Sequence, residues 1–256
     1  MVTVREHTER NSALELSVII PAWNEAAFLP KTLDALAGAG RDAGLTLEVI
    51  VVNNASTDAT RDVARAHGVR VVDEPERRIA AVRNAGAAAA RAPWLLFLDA
   101  DTGVTREHLS AVADALSDGY AGGGAPIAFD APVPRFYTAG VVVWNALARR
   151  LKLAAGSFVF ARADLHRAVG GFDGRAYAGE ELGYSRALRR QGRRYGLDFG
   201  VLVTAPVVSS ARKTQWYAPW QHALVLVTFL LFPWAGRFRR LTWFWYLRPK
   251  QHAERR

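Results

Sequence analysis

The chain has 256 residues, no cysteine and a net charge of +9. Its length suits one large domain or a domain with an appendage. The lack of cysteine excludes disulfides and thiolate metal sites, so any metal would have oxygen or histidine ligands, which favours Mg²⁺ or Mn²⁺ over zinc.

The charge is unevenly placed. Residues 211–256 hold nine of the 33 Lys and Arg, one of the 24 acids and five of the eight Trp, a net of +8 against +1 for the remainder. A nearly neutral body with a basic, aromatic tail points to an anionic membrane surface and away from nucleic acid. The opening residues, "MVTVREHTERNSALEL", mix acids and bases without an apolar core. They do not resemble a signal peptide, which predicts a cytoplasmic location.

In chain order, "LSVIIPA" (16–22) is expected as a strand and 24–40 as a helix that runs out in glycines. "LEVIVVNNAS" (47–56) is a second strand. Residues 56–68 form a helix with Ser56 as N-cap and Gly68 as C-cap. A strand over 69–74, a helix over 79–92 and the strand "WLLFLDA" (94–100) follow. Near-continuous apolar strands separated by helices predict a mostly parallel sheet covered on both faces. From 119 the rhythm is less regular: a strand, a helix over 135–153, a strand and helix over 156–172, a helix over 179–194 and a closing strand over 195–208. The expected organisation is an N-terminal extension (1–15), a catalytic domain (16–210) and a C-terminal segment (211–256).

Ligands of open parallel sheets bind beyond the carboxyl ends of the strands. "PAWNE", "NNASTD" and "DADTG" all fall on that rim. Asp99 and Asp101, two apart, share one face of an extended backbone, where they could hold a divalent ion with sites left for diphosphate oxygens. Alternatively Asp101-Thr102-Gly103 is a turn, with Asp101 or Thr102 capping a helix that begins near Val104. Asn24 and Glu25 are equally explicable as a helix cap and a first-turn acid. Asn53-Asn54 could be a plain turn, and Arg83, beside Asn84 in a helix of small residues, a snorkelling cation or a ligand donor. His67, His108, His166 and His252 are expected at the surface, with His222 a candidate third metal ligand.

Five segments in register, "SVIIPAWNE" (17–25), "VIVVNNASTDAT" (49–60), "AAVRNAGAAAARAPWLLFLDADT" (80–102), "GSFVFARADLHRAVGGFDG" (156–174) and "AGEELGYSRALRRQG" (178–192), resemble glycosyltransferase family 2 with its GT-A fold. The resemblance implies a metal-dependent, inverting transfer of a sugar from a nucleotide sugar to an acceptor hydroxyl. It sets Asp99 and Asp101 on the metal and diphosphate motif. It sets Arg83 and Asn53–Asn54 at the nucleobase, and Glu25 with Asn24 at the nucleoside end. Glu180-Glu181 stand where the family usually has Glu-Asp, making Glu181 the candidate general base. Asn53-Asn54 replace a frequent Asp-Asp pair, which leaves the donor base open. The Gln-x-x-Arg-Trp motif of processive synthases is absent, favouring transfer of a single sugar.

In the tail, the uncharged run over 214–236 is short in dense apolar residues and is interrupted by Pro219 and Pro233. It predicts helices lying in a membrane interface, with a spanning helix or burial against the catalytic domain as alternatives. Arg212 could face the donor diphosphate. Together these features predict an enzyme at the cytoplasmic membrane face acting on a lipid-linked or envelope glycan. Two rivals remain: a nucleotidyltransferase of related fold, and a membrane-recruited nucleotide-sugar-binding protein without activity.

Overall fold

The computed structural model describes residues 15–232 and 234–247. Four parallel strands, β1 (Leu16–Ala22), β2 (Leu47–Asn53), β3 (Arg70–Asp73) and β4 (Trp94–Leu98), are linked by helices α1 (Leu29–Ala43), α2 (Thr60–Ala66) and α3 (Ile79–Ala89). The chain continues through β5 (Thr102–Gly103), α4 (Arg106–Ser117), β6 (Tyr120–Gly124), β7 (Ile127–Phe129), α5 (Arg135–Leu151), β8 (Phe158–Arg162), α6 (Ala163–Ala168), α7 (Glu180–Arg193), β9 (Asp198–Val201) and β10 (Val207–Ser209).

The main sheet has the order β3-β2-β1-β4-β8-β6-β9, and β8 alone runs against the rest. Alternate residues of the strands feed two cores. Val18, Ile20 and Leu96 pack with Leu33, Leu36, Leu109 and Val112 of α1 and α4. Ile19, Ile50 and Phe97 pack with Val82, Leu165, Tyr184 and Leu188 of α3, α6 and α7. Both faces are covered, which is why the inner strands read as continuous apolar runs. The α/β architecture expected from the sequence is therefore present.

Two local features position the rim. Gly86 lets α3 lie close on the sheet: a Cβ there would come within 2.3 Å of Ile19 Cγ2 and 2.8 Å of Val52 Cγ2. Beyond the main sheet, β10 pairs antiparallel with β5 and parallel with β7, placing Ser209 opposite Thr102. The chain leaving β10 thus passes the turn that carries Asp99 and Asp101.

Several expected elements differ. The helix after β1 begins at Leu29, not near residue 24, because the loop before it is tied to the following segment. Asn24 adopts φ 52, and the N–H groups of Asn24, Glu25 and Ala26 donate to Ser56 Oγ (3.1 Å), Thr60 Oγ1 (2.7 Å) and Asp58 Oδ2 (3.2 Å). Ser56 is consumed there and does not cap α2, which starts at Thr60. The first helix also continues through Gly38 and Gly40 to Ala43, where Gly44 closes it in a left-handed conformation. The single closing strand expected over 195–208 is two short strands in different sheets. Cap duty for α4 falls to Thr105 with His108 rather than to Asp101 or Thr102.

The tail is α8 (Arg212–Trp216), α9 (Pro219–Leu231), a 3₁₀ turn at Ala235–Arg237 and α10 (Trp243–Tyr246). Among the described residues no helix is long and apolar enough to cross a membrane. The spanning alternative for 214–236 is overturned: Pro219 starts a new helix that is 13 residues long, against the roughly 20 a span requires. Residues 1–14, most of the expected N-terminal extension, and His252 lie outside the described residues.

Candidate active site

The loops that follow β1, β2 and β4 lie beyond the carboxyl ends of these parallel strands, the rim where α/β sheets hold ligands. A cleft of about 490 Å³ opens there, and its walls include Glu25, Asn54, Arg83, Asp99, Asp101, Glu180, Glu181 and Arg212. Residues from six separate segments of the sequence therefore share one cavity.

Asp99 and Asp101 flank a turn, not an extended stretch. The Thr102 N–H donates to the Asp99 carbonyl at 3.1 Å, curling the chain immediately after β4. Both carboxylates nevertheless face the cleft, Asp99 with its side chain 38% exposed and Asp101 at 10%.

Two guanidinium groups organise the acids. Arg83, carried over the rim by the close-lying α3, is 3% exposed. It bonds Glu180, donates to the Gly156 carbonyl at 2.6 Å and reaches Asp99 at 3.4 Å. Burial works against its charge, but Glu180, Asp99 and Glu181 more than offset this and hold its pKa above the ordinary value. The structure seats Arg83 between the Asp99 turn and the start of α7, on the wall of the cleft that Asn54 also lines.

Arg212, at the start of α8, forms a fork on Glu25 with bonds of 2.6 and 2.7 Å and lies 3.0 Å from Asp101. Its guanidinium also stacks near Phe28 and Trp216. Burial opposes the charge, and the bond to Glu25 and the charge of Asp101 raise the pKa overall. The antiparallel pairing of β10 with β5 delivers Arg212 to this place. The Nε atoms of both arginines are buried without a hydrogen-bond partner.

Glu180 and Glu181 open α7 after Gly179, whose φ of 74 turns the chain into the helix. Glu180 is buried and ion-paired with Arg83. Glu181 lines the cleft, and its carboxyl pKa is pushed up to about 7, first by burial and then by the charge of Glu180, with Arg83 pulling the other way. Gly156 shapes the space between them: a Cβ at that position would lie 3.2 Å from Arg83 Nη2 and 3.5 Å from Glu181 Cδ.

The asparagines divide. Asn54 lines the cleft and donates to the carbonyls of Glu74 and Glu76 at 2.7 and 2.8 Å, fixing the loop after β3. Asn53 donates to Asp73 at 2.8 Å and accepts from Ser56 N–H, and Asn24 bonds Ser56 and Thr57. Neither Asn24 nor Asn53 lies on the cleft wall. Asn84 holds the 170–172 loop by accepting from Phe172 N–H and donating to its carbonyl, both at 2.9 Å.

Sequence reasoning did not single out the aromatic lining. Trp23 carries the Arg77 guanidinium 3.4 Å above its ring, and both line the cleft near Asn54. Trp144, Tyr177, Trp216 and Tyr246 line it as well. The position of Trp23 between "PA" and "NE" was a readable signal; Tyr246 carried none. The tail docks on this side: Tyr177 and Ala178 N–H donate to the Gly236 carbonyl at 2.6 and 3.3 Å, and the Tyr246 hydroxyl donates to the Tyr177 carbonyl at 2.8 Å.

The histidine expectations are corrected in part. His108 and His166 are buried, not at the surface. His108 bonds Thr105 and the Ala205 carbonyl. His166 bonds the Tyr184 hydroxyl at 2.7 Å, and its pKa falls to about 4 through burial and the charge of Arg167. His222 bonds the Tyr137 hydroxyl through Nδ1 (2.7 Å), its Nε2 is buried without a partner, and it is not on the cleft wall.

A divalent ion suits the donor set only with a ligand's help. Among the described residues no three His, Asp or Glu side chains cluster as a ready metal site. Asp99 and Asp101 supply hard carboxylate oxygens, and Mg²⁺ typically takes one or two such groups plus phosphates and water. The residues therefore fit an ion that arrives with a diphosphate.

A mostly parallel sheet with acids at the β4 exit and a carboxylate at the start of α7 defines a GT-A-type transferase architecture. The family model for glycosyl transferase family 2 matches residues 17–159, and the chain belongs to that family. It is 44% identical over 95 residues to validoxylamine A glucosyltransferase of Streptomyces hygroscopicus subsp. jinggangensis, a match covering 35% of this chain and 22% of the relative. It is 45% identical over 107 residues to dolichyl-phosphate beta-glucosyltransferase of Drosophila melanogaster, covering 36% of this chain and 32% of the relative. The chain thus spans about a fifth to a third of the length of these relatives. The mannosyltransferase PcManGT from Pyrobaculum calidifontis, solved with GDP-Man and Mn²⁺, aligns with a TM-score of 0.61 and 22% identity over 82% of this chain and 59% of that one. At that identity the likeness supports the fold.

Proposed function

We propose that the chain moves a single sugar from a nucleotide sugar to an acceptor hydroxyl, with inversion at the anomeric carbon. The observation that carries this reading is the shared cleft: Asp99 and Asp101 on one wall, and Glu181 with a pKa of about 7 on another. A base poised near neutral pH is what general-base catalysis needs.

On this reading Trp23, Arg77 and Asn54 form the nucleoside end, and Asp99, Asp101 and Arg212 form the diphosphate end. Asp99 and Asp101 would hold Mg²⁺ or Mn²⁺, which supplies positive charge to the departing diphosphate. Arg212 swings from its fork on Glu25 toward the same phosphates, its unpaired Nε giving one further donor. Glu181 takes the acceptor proton as the acceptor oxygen bonds to the anomeric carbon and the bond to diphosphate breaks. Glu180 and Arg83 position Glu181 without contacting the reacting atoms.

The acceptor is lipid-linked or an envelope glycan, and the basic tail holds the enzyme at the cytoplasmic membrane face. Support comes from the +8 charge and five Trp of residues 211–256 and from similarity to a relative named for dolichyl phosphate.

The test is a thermal-shift panel of UDP-, GDP- and dTDP-sugars, each with and without Mn²⁺, on wild type and Asp101→Ala. One nucleotide sugar should raise the melting temperature of wild type in a Mn²⁺-dependent way, and the variant should lose that dependence. Wild type that responds to no nucleotide sugar, or a variant that keeps the full Mn²⁺ response, rejects the assignment.

A further inference from the structure

Helix α5 is unusual in how little of it is covered. Of its 17 residues only Ala148 is buried, although the helix is rich in apolar side chains. Phe136, Val142, Val143, Leu147 and Leu151 are 46–63% exposed. The inner side is otherwise engaged: Asn145 clasps both the N–H and the carbonyl of Ile127, at 3.0 and 2.9 Å, and Trp144 faces the cleft. The helix is therefore fixed in orientation, with an apolar stripe directed away from the protein.

Helix α9 repeats the pattern. Trp220, Leu224, Val227 and Leu231 recur at the spacing of one helical face and are 48–67% exposed. The two helices are joined through their inner sides, where the Tyr137 hydroxyl meets His222 Nδ1 at 2.7 Å. Each helix thus presents an exposed apolar stripe of its own.

The charges that α5 and the described tail themselves carry have one sign, with Asp198 of β9 beside the end of α5 paired to Lys152 at 3.1 Å. No acid occurs between Asp130 and Asp164, or between Asp198 and Glu254, and these two stretches contain all of α5 and the tail as far as Ala253. Arg135, Arg149 and Arg150 of α5 and Arg239 and Arg240 of the tail are exposed. An apolar stripe fringed by arginines matches an anionic bilayer, whose acyl region takes the apolar residues and whose headgroups take the cations. A soluble acidic partner would satisfy the arginines and leave the stripe wet.

We infer that α5 and α9 together form a membrane-docking face, so that the bilayer surface lies against the acceptor side of the cleft. This rests on the acceptor reading above and extends it: Trp144, on the cleft wall, flanks the docking stripe, three residues before Leu147 on the same helix. A lipid-linked acceptor would keep its chain in the bilayer along α5 and bring its polar head past Trp144 to Glu181. The tail alone is then insufficient for docking.

The experiment is co-sedimentation of the full chain with phosphatidylcholine vesicles that contain or lack phosphatidylglycerol. Wild type should sediment with the anionic vesicles and be released by salt. Val143→Asp with Leu147→Asp, on exposed positions of α5, should lower the bound fraction by about tenfold or more, and Arg149→Gln with Arg150→Gln should weaken binding by a smaller factor. Both variants should keep the wild-type melting temperature and any nucleotide-sugar shift, which separates loss of docking from misfolding and from failure of the donor site. Wild-type binding by both α5 variants would overturn the inference. So would a dimer in solution that these substitutions dissociate, since the face would then be a contact between copies of the chain.

Discussion

The two ends of the same sheet each bury a carboxylate, and they treat it differently. At the amino end, Glu48 is fully satisfied. Its oxygens accept from Ser17 Oγ (2.7 Å), Arg91 N–H (2.9 Å) and Arg91 Nε (2.7 Å), with Arg70 at 3.4 Å. Burial would raise its pKa, but these bonds from Ser17 and Arg91 lower it overall. At the carboxyl end, Glu181 has its pKa raised to about 7, Asp99 is partly open, and the Nε atoms of Arg83 and Arg212 lack partners. A saturated network stabilises a fold; one with unspent donors and a strained carboxylate is prepared for a ligand.

The largest test of this contrast is Glu181→Gln. Transfer should fall by about 10²–10⁴-fold, the usual contribution of a general base, while the nucleotide-sugar thermal shift persists. Wild-type transfer should rise with pH through an apparent pKa near 7, because only the ionised carboxylate accepts the proton. Stability should move the opposite way. A carboxyl with a raised folded pKa binds its proton more tightly when folded, so it costs stability as pH rises from its ordinary 4.5 through about 7. The Gln variant should therefore melt at or above wild type at pH 8. Wild-type turnover, or a variant that melts well below wild type at that pH, breaks the contrast.

Much of the carboxyl rim was legible because strand ends announce themselves. Asp99 and Asp101 follow "WLLFL", and Glu25 follows "SVIIPA" by three residues, so a parallel sheet brings them together without further information. Glu181 came only through the resemblance. What could not be read depends on distant partners. Arg212 meets Glu25 across 187 positions, and His108 meets Ala205 across 97, so nothing local tells a gripped arginine or a buried histidine from an exposed one. Helix starts failed for a related reason: the loop after β1 takes the side chains of Ser56 and Thr60, and Asp58 is shared between Ala26 N–H and Thr60 N–H, so the helix starts at Thr60 and not after Ser56.

A milder perturbation is Gly156→Ala. The added methyl presses on Arg83 Nη2 at 3.2 Å and on Glu181 Cδ at 3.5 Å. Displacement of a few tenths of an ångström should lower kcat by about threefold to tenfold, given that about 1 Å of misplacement can cost 10². The melting temperature should change little. An unaltered kcat would show that the spacing of Arg83 and Glu181 is slack.

The smallest effect on transfer should come from Glu48→Gln, at the other end of the sheet. The substitution leaves one of the Ser17 and Arg91 donors facing an amide nitrogen in a buried place, at a cost of about 1–3 kcal/mol of stability. The sign with pH is fixed by the direction of the shift. Because the folded pKa of Glu48 lies below 4.5, its ionised form adds stability above that pH and loses it as pH falls through the folded value. The melting-temperature gap between wild type and Glu48→Gln should thus be widest near neutrality and close in acid, while kcat per folded molecule stays at the wild-type value. A loss of turnover without a loss of stability would mean that the amino-end network reaches the cleft through β1 and β4, and that the two rims are not independent.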